Sequence, residues 1–151
     1  MLDKAVHSFN SAKILKDSGD AHYCMSAQCA YYSGLQLAMG LLMLRHSFDT
    51  DGLYKWYQEE KKAAVGSKGN SHAFYINQFR AAIKNMANRR IADKLNQTLL
   101  DLKALREIAA YKADLIDQTA IDEAIKKAKM LNADIPVYIK MEQNRQNNPI
   151  K

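Results

Sequence analysis

The sequence predicts an all-α protein, an up-and-down bundle of about five helices with one extra short helix. Its 151 residues suit a single domain with one hydrophobic core. The chain contains six glycines and two prolines, and both prolines fall within the last sixteen residues, so most segments are free of helix breakers. Apolar residues recur at steps of three and four, which is the period of an amphipathic helix.

The first two helices are predicted over residues 2–17 and 21–46. Gly19 suits the C-terminal end of the first helix, and Asp20 suits the N-cap of the second. The second helix has a wide apolar face, which is typical of the central helix of a bundle.

In the middle of the chain the sequence predicts a short helix, a loop and a third long helix. The short helix covers 53–64, and the glycine-containing segment 65–71 is the most loop-like in the protein. Asn70 or Ser71 then caps a helix that runs to about Met86. A break is expected within 85–90.

In the last third of the chain the sequence predicts two more helices and a tail. The fourth long helix covers 91–112, where apolar residues repeat regularly at helical spacing. Thr119 is the expected N-cap of the fifth, which we expect to end near Asp134, just before Pro136. Residues 1–134 therefore form the predicted domain, and the polar tail 135–151 is expected to be a short helix or an extended, fraying segment.

The charge balance favours an anionic partner. Lysine and arginine number 22 against 16 acidic residues, which gives a formal net charge of +6. The densest basic cluster is predicted at the junction of the third and fourth long helices, and it contains Lys84, Arg89, Arg90 and Lys94. This cluster predicts contacts with phosphate groups, and the alternative is an ordinary solvated turn.

Several classes of protein are excluded by what the sequence lacks. The longest apolar run, Leu35 to Leu44, is shorter than the roughly 20 residues of a membrane span, and the N-terminus carries no secretory apolar segment. We expect a cytoplasmic protein without membrane contact, with Cys24 and Cys29 as reduced thiols. The sequence has no glycine-rich phosphate loop and no Glu-x-x-His pattern, so we expect neither a cofactor nor a metal.

Two helical segments carry a recognisable pattern. One is Ser-Ala-Gln-Cys-Ala-Tyr-Tyr-Ser at 26–33, and the other is Leu-Lys-Ala-Leu-Arg-Glu-Ile-Ala-Ala-Tyr at 102–111. Between them, His72 is followed seven residues later by Phe79. In this order the motifs resemble the HEPN domain family, most closely its small stand-alone bacterial members, over about residues 2–133.

The resemblance implies a nucleotide- or RNA-binding protein of toxin–antitoxin or defence type. It implies a homodimer that buries the fourth-helix motif at a shared cleft, and a nucleotidyltransferase-like antitoxin as a partner. It also implies that Arg106 binds RNA or a nucleotide together with the basic cluster, and that Arg106 and Tyr111 are the candidate catalytic residues of a metal-independent ribonuclease.

This chain departs from the family pattern at three points. Cys29 stands where an arginine is usual, Ala110 stands where an aspartate is usual, and no histidine follows Arg106. RNA cleavage without a metal needs a group that exchanges a proton near neutral pH, and a tyrosine hydroxyl ordinarily titrates at about pH 10. The alternatives therefore stay open: a weak ribonuclease, a protein that only binds RNA, or a catalytically inactive module for protein interaction and dimerisation.

Each candidate side chain also has a purely structural interpretation. Arg106 can form an ion pair with Asp101 or Glu107, and Tyr111 can be a half-buried packing residue. Of the adjacent Tyr31 and Tyr32, one is expected in the core and the other at its edge.

Overall fold

The computed structural model describes residues 1–63, 70–111 and 116–148. Within these ranges it is helical and contains no strand, which confirms the predicted all-α bundle. None of the described helices is both long and apolar enough to cross a membrane. The six α-helices are α1 (Leu2–Asp17), α2 (Tyr23–His46), α3 (Thr50–Ala63), α4 (Ser71–Met86), α5 (Arg89–Tyr111) and α6 (Gln118–Asn147).

Helix α2 is the centre of the bundle and contacts every other α-helix. Its neighbours approach closely because small residues line its buried surface, with Gly34 at the tightest point. A Cβ atom at Gly34 would lie 2.6 Å from Cδ1 of Leu131 on α6 and 3.0 Å from Cδ2 of Leu99 on α5. The missing side chain at this position therefore lets both helices pack against α2.

Asparagine side chains fix the starts of α4 and α5. Oδ1 of Asn70 accepts a hydrogen bond from the backbone N–H of Ala73 at 3.0 Å, which confirms one of the two predicted caps of α4. Asn88 does the same for the N–H of Ile91, also at 3.0 Å. Because Asn88 occupies the capping position, α5 begins at Arg89, two residues before the predicted start.

Helix α3 also begins earlier than predicted, at Thr50 instead of Leu53. Oδ1 of Asp49 accepts a hydrogen bond from the N–H of Gly52 at 2.7 Å, so an acidic cap precedes the first turn. The predicted loop over 65–71 lies outside the described residues, apart from Asn70 and Ser71.

Two predicted caps are wrong. The N-cap of α6 is Asp117 and not Thr119, since Oδ1 of Asp117 accepts a hydrogen bond from the N–H of Ala120 at 2.8 Å. Asp20 does not cap α2 either, because it lies inside a short 3₁₀ turn that precedes Tyr23. At α6 the observed cap is a residue type that N-caps prefer over threonine, so the error lay in the position of the first turn.

The prediction that the fifth helix ends near Asp134 and that a tail follows is wrong. Helix α6 continues through Pro136 to Asn147. A proline inside a helix removes one hydrogen bond and costs about 3 kcal/mol. The side chains of Ile135 and Ile139 are buried against the core, and burying an isoleucine contributes roughly 1.5–3 kcal/mol. Burial of these two residues is thus large enough to offset the interruption.

A buried ion pair joins the end of α6 to α2. The Glu142 side chain is 1% exposed, and its Oε2 accepts a hydrogen bond from Nη1 of Arg45 at 3.3 Å. Nε of Arg145 donates to Oε1 of the same carboxylate at 2.8 Å. Two guanidinium groups thus neutralise the buried carboxylate of Glu142, which would otherwise be strongly destabilising.

The burial of the α6 extension predicts unequal effects of two similar truncations. Ile139→Ala removes a side chain that is 4% exposed, so we expect the free energy of unfolding to fall by about 2–5 kcal/mol. Val137→Ala on the same segment removes one that is 56% exposed, and we expect a change within about 0.5 kcal/mol. Urea unfolding followed by circular dichroism measures both, and equal effects would show that the extension does not pack on the core.

Candidate functional site

Three helices bring the candidate functional residues together at one end of the bundle. Only Ala87 and Asn88 separate α4 from α5, so the two helices run antiparallel and the start of α4 lies beside the end of α5. Helix α2 packs against both. We call the resulting group of side chains the Arg106 cluster; it consists of Tyr31, Tyr32, His72, Lys103, Arg106 and Glu107.

The tyrosine pair of α2 divides as the sequence predicts. Tyr31 is completely buried, and Tyr32 lies partly exposed beside it with ring centroids 5.3 Å apart. The hydroxyl oxygen of Tyr31 lies 3.0 Å from Nδ1 of His72, which gives this buried polar group a partner. Burial raises the pKa of Tyr31, so its hydroxyl stays neutral at physiological pH.

The Arg106 guanidinium has few partners. Nη2 donates a long hydrogen bond of 3.4 Å to the hydroxyl of Tyr32. Nε is buried and has no acceptor among the residues that the structure describes. The hydrogen bond to Tyr32 raises the pKa of Arg106, so the side chain stays charged.

The ion pair considered for Arg106 does not form. Asp101 accepts a hydrogen bond from Nζ of Lys127 at 2.8 Å, and Glu107 accepts one from Nζ of Lys103 at 2.5 Å. Both carboxylates that stand near Arg106 in sequence are therefore engaged by lysines. Among the described residues Arg106 has no carboxylate partner, and this leaves its positive charge available to an anion.

His72 completes the cluster from the first turn of α4. Its ring is partly buried and stands edge-on to Tyr32, with ring centroids 6.0 Å apart. Burial lowers the pKa of His72, and the positive charges of Arg106 and Lys103 lower it further, against a smaller opposing effect of Glu107. The imidazole is therefore neutral at pH 7 and can accept a proton.

Among the described residues Tyr111, the second candidate catalytic residue, forms no hydrogen bond with the cluster, although it lies near enough to Arg106 to contribute to the raised pKa of that residue. Five residues along an α-helix turn a side chain about 140° away, and Tyr111 is 83% exposed in the last turn of α5. The interpretation of Tyr111 as a half-buried packing residue is wrong, because the ring is open to solvent.

The predicted basic cluster lies at the opposite end of α5. Arg89 and Arg106 are 17 residues apart on one helix, which separates them by about 25 Å. Arg89 lies 3.5 Å from a carboxylate oxygen of Asp93, and this carboxylate also binds Arg80. The structure thus shows two separate cationic regions. All members of the predicted cluster are exposed: Lys84, Arg89, Arg90 and Lys94.

A surface cavity of about 430 Å³ adjoins this second region. Arg80, Lys84 and Arg89 line it together with Asn77 and Ala81. Two of these cations belong to the predicted cluster, and the third, Arg80, is an additional one that lies one helical turn before Lys84.

Sequence patterns do not place His72 in the site. It precedes Arg106 by 34 residues, and a single histidine near a helix start is common in proteins without a site. The only sequence signal is the seven-residue spacing between His72 and Phe79. Among the described residues no group of three or more His, Cys, Asp or Glu side chains is arranged to hold a metal.

Comparison with models of protein families, with curated protein sequences and with solved structures finds no match for this chain. The resemblance to the HEPN family therefore stays a prediction from the sequence motifs.

The lowered pKa of His72 predicts a pH-dependent stability. The unfolded chain takes up a proton at this residue near pH 6.5, whereas the folded chain takes it up only at lower pH. The contribution of His72 to the free energy of unfolding is therefore fully present above pH 6.5, and it is lost as the pH falls below this value.

We expect His72→Gln to make the free energy of unfolding depend less steeply on pH between 7.5 and 5. Urea unfolding at several pH values measures this slope. The slope is measured, and not the stability at one pH, because the substitution also changes packing. Burial lowers the pKa of His46 as well, but this residue contributes equally to the slope in both proteins. An unchanged slope would contradict the burial of a neutral imidazole.

Proposed function

We propose that the protein binds a phosphate-bearing ligand, an RNA or a nucleotide, at the Arg106 cluster. The observation that supports this is the Arg106 guanidinium, which has no carboxylate partner among the described residues and donates one long hydrogen bond, from Nη2 to Tyr32. A phosphate oxygen is a strong acceptor for such a donor, and arginine matches phosphate geometry well. The positive net charge of the chain would assist the approach of the ligand.

The biological setting of this proposal comes from the motif resemblance. In this proposal the chain is a HEPN protein of toxin–antitoxin or defence type that acts in the cytoplasm, and its partner is a nucleotidyltransferase-like antitoxin. RNA cleavage without a metal would be weak or absent. Arg106 can stabilise negative charge on the phosphate oxygens, but the histidine that the family places after the arginine is missing.

The second cationic region favours a polymeric ligand over a single nucleotide. Arg89, Arg90 and Lys94 precede Arg106 on α5 by about 18 to 25 Å along the helix axis, too far for the phosphate of one nucleotide to reach both regions. On a strand that spans the helix they would contact phosphates without reading the sequence.

Arg106→Ala is expected to weaken the binding of a structured RNA about tenfold or more, since a hydrogen bond to a charged group contributes roughly 1.5–3 kcal/mol. Fluorescence anisotropy with a labelled hairpin in the presence of a metal chelator measures the affinity, and a denaturing gel of the same samples measures cleavage. Lys140→Ala, which removes an exposed charge on α6, is the control and should change the affinity by less than about twofold.

Two outcomes would overturn the proposal. If wild type and Arg106→Ala bind the RNA equally and neither cleaves it, Arg106 has no role with nucleic acid. If Lys140→Ala weakens binding as much as Arg106→Ala, the RNA is held by net charge and not by this cluster.

A second candidate function is a catalytically inactive interaction module. Apolar residues that are spaced one helical turn apart form a stripe on the solvent side of α5. Its larger members, Leu100 and Ile108, are 37% and 39% exposed. With Ala104 and the ring of Tyr111 the stripe extends along three turns of the helix. An apolar stripe of this kind is commonly covered by a partner, and we propose a second copy of this chain as that partner.

Ile108→Asp is expected to convert the dimer into a monomer, because a carboxylate in the middle of the stripe would lose its hydration in the interface. Light scattering after size-exclusion chromatography measures the mass. Ile14→Asp on α1 is the matched control, since Ile14 is 66% exposed and lies on another helix. A wild-type monomer, or a dimer that persists in Ile108→Asp, would contradict this arrangement.

A further inference from the structure

His72 is held in place through only one of its two ring nitrogens. Nδ1 lies 3.0 Å from the hydroxyl oxygen of Tyr31, and Tyr31 is completely buried in α2. Among the described residues Nε2 has no hydrogen-bond partner, and the ring is only partly buried. The fixed nitrogen thus orients the ring, and the other nitrogen is left for a ligand.

The imidazole and the Arg106 guanidinium both contact the same tyrosine. His72 meets the ring of Tyr32 edge-on, and Nη2 of Arg106 binds the hydroxyl of that ring. An anion that binds the free donors of Arg106 would therefore stand close to His72. A histidine in such a position can add a second positive charge to the site.

Among the described residues, the charged groups that face His72 all come from α5, whereas the groups that face it from α2 are uncharged hydroxyls. Arg106 and Lys103 disfavour its protonated form, Glu107 favours it, and Lys103 and Glu107 form an ion pair with each other. From α2 come only the hydroxyl groups of Tyr31 and Tyr32. The unbalanced charge is that of Arg106, so neutralising Arg106 with an anion removes the main electrostatic obstacle to a protonated His72.

We infer that His72 is a proton-linked ligand of the Arg106 cluster, which takes up one proton from solvent when a phosphate group binds and then donates Nε2–H to a phosphate oxygen. The oxygen of Tyr31 accepts Nδ1–H in this protonated state, since both nitrogens of an imidazolium are donors. No covalent bond to the ligand forms or breaks. This inference rests on the proposed function, because it requires a phosphate-bearing ligand at Arg106.

The consequence is a preference for binding at lower pH. A nearby anion raises the pKa of a histidine, so over the range in which only the complex is protonated, affinity rises as the pH falls, by at most tenfold per pH unit. A phosphate monoester is an unsuitable probe because it also titrates at about pH 6. Oligothymidylate without terminal phosphates keeps a constant charge between pH 5.5 and 8, and it carries no 2′-hydroxyl group that would allow cleavage.

The test is isothermal titration calorimetry with an eight-residue oligothymidylate at pH 7, in two buffers of different ionisation enthalpy. The difference between the two apparent enthalpies gives the number of protons taken up on binding. We expect wild type to take up a proton fraction clearly above zero, and to bind about tenfold tighter at pH 6 than at pH 8. We expect His72→Gln to take up none, with an affinity that varies little with pH.

Two further variants make the result specific. His46→Gln changes another histidine with a lowered pKa, at the far end of α2, and should take up protons as wild type does. Tyr31→Phe keeps the ring and removes the acceptor of Nδ1–H, so proton uptake should fall although His72 is intact. Circular dichroism establishes that each variant is folded, and Tyr31→Phe decides the matter if His72→Gln does not fold.

The outcomes separate this inference from the proposed function. Binding by wild type without proton uptake, or equal uptake by wild type and His72→Gln, would overturn the role of His72 and leave the role of Arg106 intact. No binding of oligothymidylate or of the structured RNA by wild type at any pH would overturn both.

Discussion

The architecture depends on how closely other helices approach α2. Ala27, Ala30 and Ala38 are completely buried, and Gly34 leaves no room for even a methyl group beside Leu131 and Leu99. Because α4 and α5 both pack on this helix and run antiparallel to each other, the start of one and the end of the other must meet α2 at the same level. The residues of the candidate site therefore converge as a consequence of packing.

Burial and charge then give this end of the bundle its chemistry. The buried hydroxyl of Tyr31 requires a partner and has His72, whose ring is thereby fixed. Lys103 and Lys127 bind the carboxylates of Glu107 and Asp101, and Arg106 is left with one long hydrogen bond to a tyrosine. An arginine with so few partners is better suited to holding an external anion than to stabilising the fold.

The sequence predicted the fold well and the site in part. Helical periodicity placed α1 at its observed bounds, and the apolar width of α2 indicated its central position. The predicted end of α6 was wrong because Pro136 and the polar residues after it suggest a tail. Ile135 and Ile139 pack on the core, and local residue preference cannot identify that contact. Arg106 was predicted from a motif, but its distance from the basic cluster and its proximity to His72 depend on tertiary packing.

The proposed role of the Arg106 guanidinium as the anion-binding group can be tested by nuclear magnetic resonance of the arginine Nε–H groups during a titration with oligothymidylate. We expect the Arg106 signal to shift most and to saturate, while that of Arg145, whose Nε–H already binds Glu142, stays in place. A saturating titration in which the Arg106 signal does not move, or moves no more than that of Arg145, would rule out this role for Arg106.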